Sequence, residues 1–521
     1  MTDTTQHSAV NITTHLMEKI QAEGIMDKTA IIYERPDFSK LTLTYEELFK
    51  YVGYFAASLR EKGLKKGDRI FIRLTNSPEV IVAFLGAIKA GIIPAMMGTH
   101  VGNGSIVEYV KETQTKILFS VSKDNLELPD NCIHYSLAED LGKLEFGGFL
   151  KTESGDEKTL NSPDDPAFIT YTSGITNRPK AILHAHRFIK GVANLRDVLS
   201  NISQDVTMTY IGDLAWSFGV YQGIILPLFI GSTVYIYYDD NGFKPEKWWT
   251  RIVDNGVQIV FGTPTVFRML ALVAPENKGV LRKCMAVGET LPAEIWKTWH
   301  DNFGIDIIQS YGQAEVGVIA LDYLKEDRIP GKAGRILPGI KYMIVDDEGK
   351  QLQDGMPGHL IIQSEYPTVM LKYIVPSEKN DEVFRGDWYI TGDIVMQHNG
   401  ILTYLGRKEN ILKYKGSKLS VVEIESIYRQ HEAVQEAAVI ECPDIELGQI
   451  LKVFIKLKPE AEASEMIAKE IQAFVSGKLT NHDVPKKVEF INEMPKTRSG
   501  KTRREALRQL EMEKFLKHQA A

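Results

Sequence analysis

Along much of the chain, short apolar runs that do not alternate with polar residues are each followed by a segment with helical spacing. Arg69–Leu74 (RIFIRL) leaves the Gly67-Asp68 turn, Pro78 opens EVIVAFLGAIKAG, and IIPAMM follows. The rhythm returns with Val257–Phe261 as a strand, Pro264–Ala271 a helix, Lys283–Val287 a strand, Pro292–Asn302 a helix and Ile305–Gln309 a strand. A strand apolar on both faces must be covered on both, so this alternation predicts an α/β fold of parallel-type sheets flanked by helices. Thr44 followed by Glu47 is a capping box, and its helix ends near Gly63.

The pattern changes near residue 330, where KYMIVDDEGK and GHLIIQSE read as strands with tight turns, a β-rich subdomain over about 330–406. It changes again after Gly406. Glu423–Gln430 and Ser464–Ser476 read as helices, the latter N-capped by Ser464 and stopped at Gly477, and Val434–Glu441 and Leu451–Leu457 as strands. The expected domains are therefore 1–406 and a smaller α+β unit over 407–521. With 61 Lys+Arg against 68 Asp+Glu the chain is mildly acidic, which argues against sequence-independent nucleic-acid binding. Cys132, Cys284 and Cys442 lie far apart and outside any zinc spacing, so no disulfide framework is expected and the cytoplasm is the natural compartment. The N-terminus lacks the pattern of a secretory signal. Val220–Tyr238 carries no charge, but Pro227 and Gly231-Ser232 divide it. It predicts a buried helix, a turn and a buried strand rather than a membrane span.

Five segments carry chemistry. Tyr171–Lys180 (YTSGITNRPK), ahead of a strand and then a helix, offers hydroxyls, glycine and the charges of Arg178 and Lys180 to a phosphate, or is a polar surface turn. In Gln309–Gly317 (QSYGQAEVG), Tyr311 suits stacking on a purine and Glu315 a hard cation such as Mg²⁺, or Glu315 is a solvated residue at a helix start. Asp393 in Thr391-Gly392-Asp393 suits the paired hydroxyls of a ribose, or is a turn residue. The last two are Gly406–Glu425 and Pro495–Arg504 (PKTRSGKTRR). The latter contains Gly-Lys-Thr, but Pro495 stands where a P-loop needs glycine. His184 and His186 alternate on a strand without a third ligand in view and receive no metal role.

In their order and approximate spacing these segments resemble the adenylate-forming superfamily of acyl-CoA synthetases, carrier-loading adenylation domains and luciferases, over nearly the whole chain. The resemblance implies a large N-terminal region of two parallel-type sheets and a β-rich subdomain, with a small mobile C-terminal domain. It implies that a carboxylate attacks ATP to give acyl-AMP and pyrophosphate, and that a thiol, CoA, then takes the acyl group. By position, Thr172, Ser173, Gly174, Thr176 and Lys180 would grip phosphates. Gly288, Glu289 and Thr290 would lie beside the adenine, and Ser310, Tyr311, Gly312 and Gln313 would complete the nucleotide site. Glu315 would bind Mg²⁺, Asp393 and Arg407 the ribose, and Lys501 would bridge acyl carboxylate and α-phosphate. Glu409 falls at the hinge, as Glu where the family usually has Asp, and Lys415, Gly416 and Ser417 fall at the pantetheine tunnel.

Ile175 and Asn177 depart from the family's phosphate loop. Ile175 removes a hydroxyl donor, and lowered ATP affinity or turnover is expected. Trp216, Gly219, Gly262 and Gly312 would border the acyl pocket, with Phe218 either in its wall or in the core. Acetate-specific members carry a bulky aromatic at Gly312. The glycine is read as leaving room, against acetate and for a medium-chain, branched or small aromatic acid. The rival readings are a stand-alone enzyme loading a carrier protein and a nucleotide-binding protein without turnover. The absence of a carrier domain after Ala521 favours free CoA.

Overall fold

In the computed structural model, residues 10–35, 37–122, 126–137, 141–151, 159–172, 179–199, 202–238, 242–325, 328–408, 411–414, 417–444, 448–476, 478, 484–496 and 502–519 are described. They fall into two compact units. One is drawn from positions up to 172, 179–341 and 362–389, and the other from 342–361 and from 390 onward. The β-rich stretch is thus shared between units.

The first unit contains two sheets. One runs in the order Lys372–Val375, Lys180–Ala185, Pro166–Thr172, Ile93–Met96, Arg69–Arg73, Ile117–Ser120, Ile133–Ser136. Its strands from Pro166–Thr172 to Ile133–Ser136 pair parallel, and the helix Pro78–Lys89 connects Arg69–Arg73 to Ile93–Met96. In the other, Ile307–Gln313, Lys283–Ala286, Ile259–Gly262, Thr207–Ile211, Thr233–Tyr237 and Thr29–Glu34 form a parallel centre. Antiparallel strands extend it on both sides: Gly317–Leu321 and Gly334–Ile336 beyond Ile307–Gln313, and Lys40–Thr44 beyond Thr29–Glu34. The helices Pro264–Leu272 and Ala293–Phe303 cross between parallel strands and seal one face through aromatics. Trp249 stacks on Trp299 at 5.8 Å between centroids, and Phe303 lies 4.6 Å from Trp299. The mixed α/β fold is as the apolar strand runs predict, and the Thr44–Glu47 capping box is fully formed.

Val220–Tyr238 is likewise as predicted. A wide-turned helix, Gly219–Ile225, continues into Leu226–Ile230. Gly231 turns at φ +84°, and Thr233–Tyr237 is a buried strand. Among the described residues no helix is long and apolar enough to cross a membrane.

Tyr171–Lys180 is followed by a strand and then a helix, as expected, and it joins the antiparallel strands Pro166–Thr172 and Lys180–Ala185. One local expectation is corrected. The strand expected to end at Gln309 continues through Gln313, and Gly317–Leu321 returns antiparallel to it. Glu315 therefore sits in a tight β-turn, not at a helix start.

Tyr342–Val345, Gly358–Gln363, Trp388–His398 and Ile401–Arg407, which belong mostly to the second unit, are neighbours in that order. Val434–Asp444, Gly448–Leu457 and Lys487–Phe490 form a separate sheet, whose core packs on the helices Val421–Arg429 and Glu465–Ser476. Ser464 Oγ accepts the Ile467 N–H at 3.2 Å, which caps the second helix. Gly477 lies outside the described residues.

Candidate active site

Side chains at the carboxyl ends of parallel strands meet in one crevice, because each strand must turn there into its crossover helix. Gly262 ends one strand of the larger sheet. Gly288–Thr290 follows the next, and Ser310–Gln313 closes the one after that. Asp213–Gly219 follows Thr207–Ile211, the neighbour of Ile259–Gly262 on the other side. The fold thus gathers segments 100 positions apart in sequence (213 and 313) onto one edge. Ser310 Oγ donates to the Ala286 carbonyl at 3.1 Å, and the Leu291 N–H donates to Gln309 Oε1 at 3.1 Å, tying two of these strand ends together. Behind them, burial pushes the Asp322 carboxyl up to about 8, while its Oδ1 accepts the Gln309 N–H at 2.8 Å.

Glu315 is only 5% exposed. A carboxylate taken so far from water needs a donor. It has one: Tyr373 Oη donates to Glu315 Oε1 at 2.7 Å, and Lys180 Nζ donates to the same phenol at 3.4 Å. The Lys180 ammonium also lies 4.8 Å from the Tyr373 ring centroid. The Met370 N–H fixes the backbone by donating to the Glu315 carbonyl at 2.8 Å. A hydrogen bond to a charged group contributes about 1.5–3 kcal/mol, enough to hold this turn in one geometry. Lys180 and Glu315, from two separate motifs, are thereby linked through Tyr373. Sequence reading missed Tyr373. It lies on Lys372–Val375, which pairs with Lys180–Ala185 across nearly 200 positions, and nothing local marks it.

The glycines of the expected acyl pocket tell a different story. A Cβ on Gly312 would lie 2.1 Å from the Gly317 carbonyl oxygen and 3.0 Å from Val318 Cα. Gly312 is required by the close approach of the returning strand, so it leaves no room for a ligand, and the argument it supplied against acetate falls. Gly219 is similar, since its Cβ would meet the Asp213 carbonyl oxygen at 2.2 Å. At Gly262 the neighbour is Val266, at 3.2 Å. Gly288 sits at φ +88°, and a Cβ there would lie 3.3 Å from Trp216 Cη2, which places the Trp216 indole edge beside the Gly288–Thr290 segment. Phe218 is buried and meets Trp216 edge to face at 5.8 Å, so it serves the core and flanks Trp216 at once. Tyr311, 9% exposed, lies within the strand with little of its ring open.

In the second unit Asp393 and Arg407 stand opposite each other on antiparallel strands. Arg407 Nε lies 3.0 Å from Asp393 Oδ1, and its Nη1 donates to the Thr391 carbonyl at 2.7 Å. Thr172 ends its strand, and Glu289 and Thr290 are half-buried. Ser173, Gly174, Thr176, Glu409, Lys415, Gly416 and Lys501 lie outside the described residues, as do Ile175 and Asn177. Ser417 is described only as the first residue of the strand Ser417–Ser420.

A crevice at the carboxyl ends of parallel strands is where open α/β sheets bind their ligands, which makes this chain an α/β protein with a ligand site at that edge. The AMP-binding enzyme family model matches residues 19–374, and the AMP-binding enzyme C-terminal domain model matches 423–501. The benzoate–CoA ligase of Thauera aromatica is 31% identical over 89% of this chain and 90% of its own. The acetyl-coenzyme A synthetase of Bacillus subtilis (strain 168) is 30% identical over 94% and 89%. Among solved structures, an anthranilate CoA ligase in complex with anthranoyl-AMP superposes with TM-score 0.85 at 26% identity, covering 98% of this chain and 99% of that one. A benzoate CoA ligase from Burkholderia xenovorans LB400 gives TM-score 0.82 at 26% identity, covering 96% and 99%. The chain belongs to the AMP-binding enzyme family and is an AMP-forming acid–thiol ligase.

Proposed function

We propose that the chain activates a medium-chain, branched or small aromatic carboxylic acid with ATP, forming acyl-AMP and pyrophosphate, and then transfers the acyl group to free CoA. The observation that carries this reading is the Lys180–Tyr373–Glu315 chain. It sets a cation from the phosphate-loop hairpin and an anion from the QSYGQAEVG turn on one phenol, as an enzyme that positions a nucleotide's phosphates beside a metal requires. Among the described residues no cluster of His, Cys, Asp and Glu is built to enclose a metal. Glu315 alone fits Mg²⁺, which takes one or two carboxylates and completes its shell with phosphate oxygens and water. When bound, Mg²⁺ would neutralise phosphate charge.

The protein's own part is positional, since acyl and phosphoryl transfer ask mainly for alignment and charge stabilisation. In this reading the 172–180 loop holds the phosphates, Gly288–Thr290 and Tyr311 hold the base, and Asp393 and Arg407 hold the ribose. Lys501, on the C-terminal domain beyond residue 406, meets the acyl carboxylate and α-phosphate. Glu409 serves as the hinge and Lys415–Ser417 lines the thiol's approach. The acid class is supported by the aromatic wall of Trp216 and Phe218 and by relatives named for benzoate and anthranilate. The relative named for acetate makes acetate the competitor. AMP formation scanned from acetate through octanoate to benzoate, with CoA present, decides. We expect kcat/KM for the best larger acid to exceed that for acetate by about tenfold or more, given what methylenes are worth in an apolar pocket. Acetate as the best substrate, or turnover only with a phosphopantetheinyl carrier protein in place of CoA, would overturn it.

A further inference from the structure

The crevice of the first unit holds another pair of ionisable side chains, outside every motif that marks the nucleotide. His100 follows the strand Ile93–Met96, and Asp213 follows Thr207–Ile211, so each lies just past the carboxyl end of a parallel strand, one in each sheet. Ligands of open α/β sheets bind outside such ends. We propose that His100, oriented by Asp213, accepts the proton of the incoming thiol in the thioester-forming half-reaction of this ligase.

His100 Nδ1 lies 3.6 Å from Asp213 Oδ2. The carboxylate cannot wander, because its Oδ1 accepts the Ala215 N–H at 2.9 Å. Asn76, just past Arg69–Arg73, grips the backbone on both sides of Asp213. It donates through Nδ2 to the Gly212 carbonyl at 2.7 Å and accepts the Leu214 N–H at 2.9 Å. Arg73 Nη2 donates to the carbonyls of Thr99 and Val101 at 3.0 and 2.8 Å, holding the chain on both sides of His100. Asp213 thus faces the imidazole, and the Arg73 guanidinium holds the backbone on either side of it. The His100 side chain is 57% exposed, as access by a thiol demands.

Gly98 shows how closely the pair is built. A Cβ there would lie 2.0 Å from Asp213 Oδ2 and 2.6 Å from His100 Nδ1. Any larger residue would wedge the two apart. The pair also borders the nucleotide side: the Trp216 N–H donates to the Asp213 carbonyl at 3.0 Å, and the Trp216 ring adjoins Gly288.

A thiol attacks as thiolate, and an imidazole is suited to take its proton near neutral pH. The S–H proton passes to His100 as the S–C bond forms. The acyl C–O bond to AMP breaks, with its electron pair leaving on the phosphate oxygen. Asp213 stabilises the imidazolium, which returns its proton to solvent. His100 is thus a catalytic residue and Asp213 a positioning one.

The test separates the half-reactions in the full chain. In His100→Gln, single-turnover thiolysis of supplied acyl-AMP by CoA should fall about 10²-fold or more, as for loss of a general base. It should recover with rising pH or added imidazole, while acid-dependent pyrophosphate release stays unchanged. Asp213→Asn should show a smaller fall and a shifted pH profile. Gly98→Ala, which removes neither group, should reproduce it. Unchanged thiolysis and pH profile in His100→Gln, or equal loss of both half-reactions without imidazole rescue, would overturn the proposal. If His100→Gln fails to fold, wild-type thiolysis in Gly98→Ala does the same. If no acid drives pyrophosphate release in the wild type, the adenylation reading fails, and thiolysis of supplied acyl-AMP still tests the pair.

Discussion

Glu315 and Asp213 are both carboxylates of the first unit's crevice, and they are housed in opposite ways. Glu315 is buried and takes its hydrogen bond from a neutral phenol, whereas the Asp213 side chain is 32% exposed and faces an imidazole. A charge that must stay fixed while a nucleotide binds gains from exclusion of water, since a low local dielectric strengthens what it holds. A carboxylate that orients an imidazole is better placed near water when that ring must return its proton to solvent. The contrast teaches that the two half-reactions, if they use these sites, ask for different dielectric surroundings within one crevice.

The contrast is broken most strongly on the nucleotide side. Lys501→Ala should abolish acid-dependent pyrophosphate release. A charge about 4 Å away is worth about 4 kcal/mol at an effective dielectric of about 20, or roughly three decades in rate. Thiolysis of supplied acyl-AMP should survive, the mirror image of His100→Gln, and pyrophosphate exchange at the wild-type rate would refute it. Glu315→Gln should cost adenylation about 10²–10³-fold, the usual scale for removing one electrostatic stabiliser, and assays across a Mg²⁺ series would show saturation moved to higher metal concentration. Tyr373→Phe leaves the charge but removes its donor. At about 1.5–3 kcal/mol, adenylation should drop by about one to two decades with thiolysis intact, and equal loss of both would make Tyr373 merely structural.

Smaller effects probe the frame. Gly312→Ala drives a Cβ into opposing backbone and should lower stability by about 1–3 kcal/mol in denaturant titration, where an open pocket would have accepted the methyl at no cost. Burial lowers His184 to about 3 and His186 to about 4, against an ordinary 6.5. Both folded values are depressed, so the stability gained by keeping the rings neutral is present above about pH 6.5 and drains away as pH falls toward 4 and then 3. Melting temperature should fall across that window, and less steeply in His184→Phe, whose ring can keep the stacking on Phe168.

Much of this was legible in the sequence. Apolar, non-alternating strands demand two covered faces, so the parallel sheets could be foreseen, and Lys180 and Glu315, which the structure links through Tyr373, each stood out in its own motif. What stayed hidden lies in pairing between distant strands. Tyr373 reaches Glu315 only because Lys372–Val375 pairs with Lys180–Ala185, and His100 meets Asp213 only because two sheets turn their ends together. Gly312 was misread for a related reason. A glycine that admits a ligand and one that admits a neighbouring backbone look the same in a string of letters.

The nearness of the Trp216 indole to Gly288 gives the molecule an optical consequence. Trp248, Trp249 and Trp299 are packed in a sealed aromatic cluster, so their emission is shielded from whatever enters the crevice. Trp216 is not part of that cluster, and the difference spectrum between the native chain and Trp216→Phe isolates a built-in fluorophore for watching nucleotide arrive in real time.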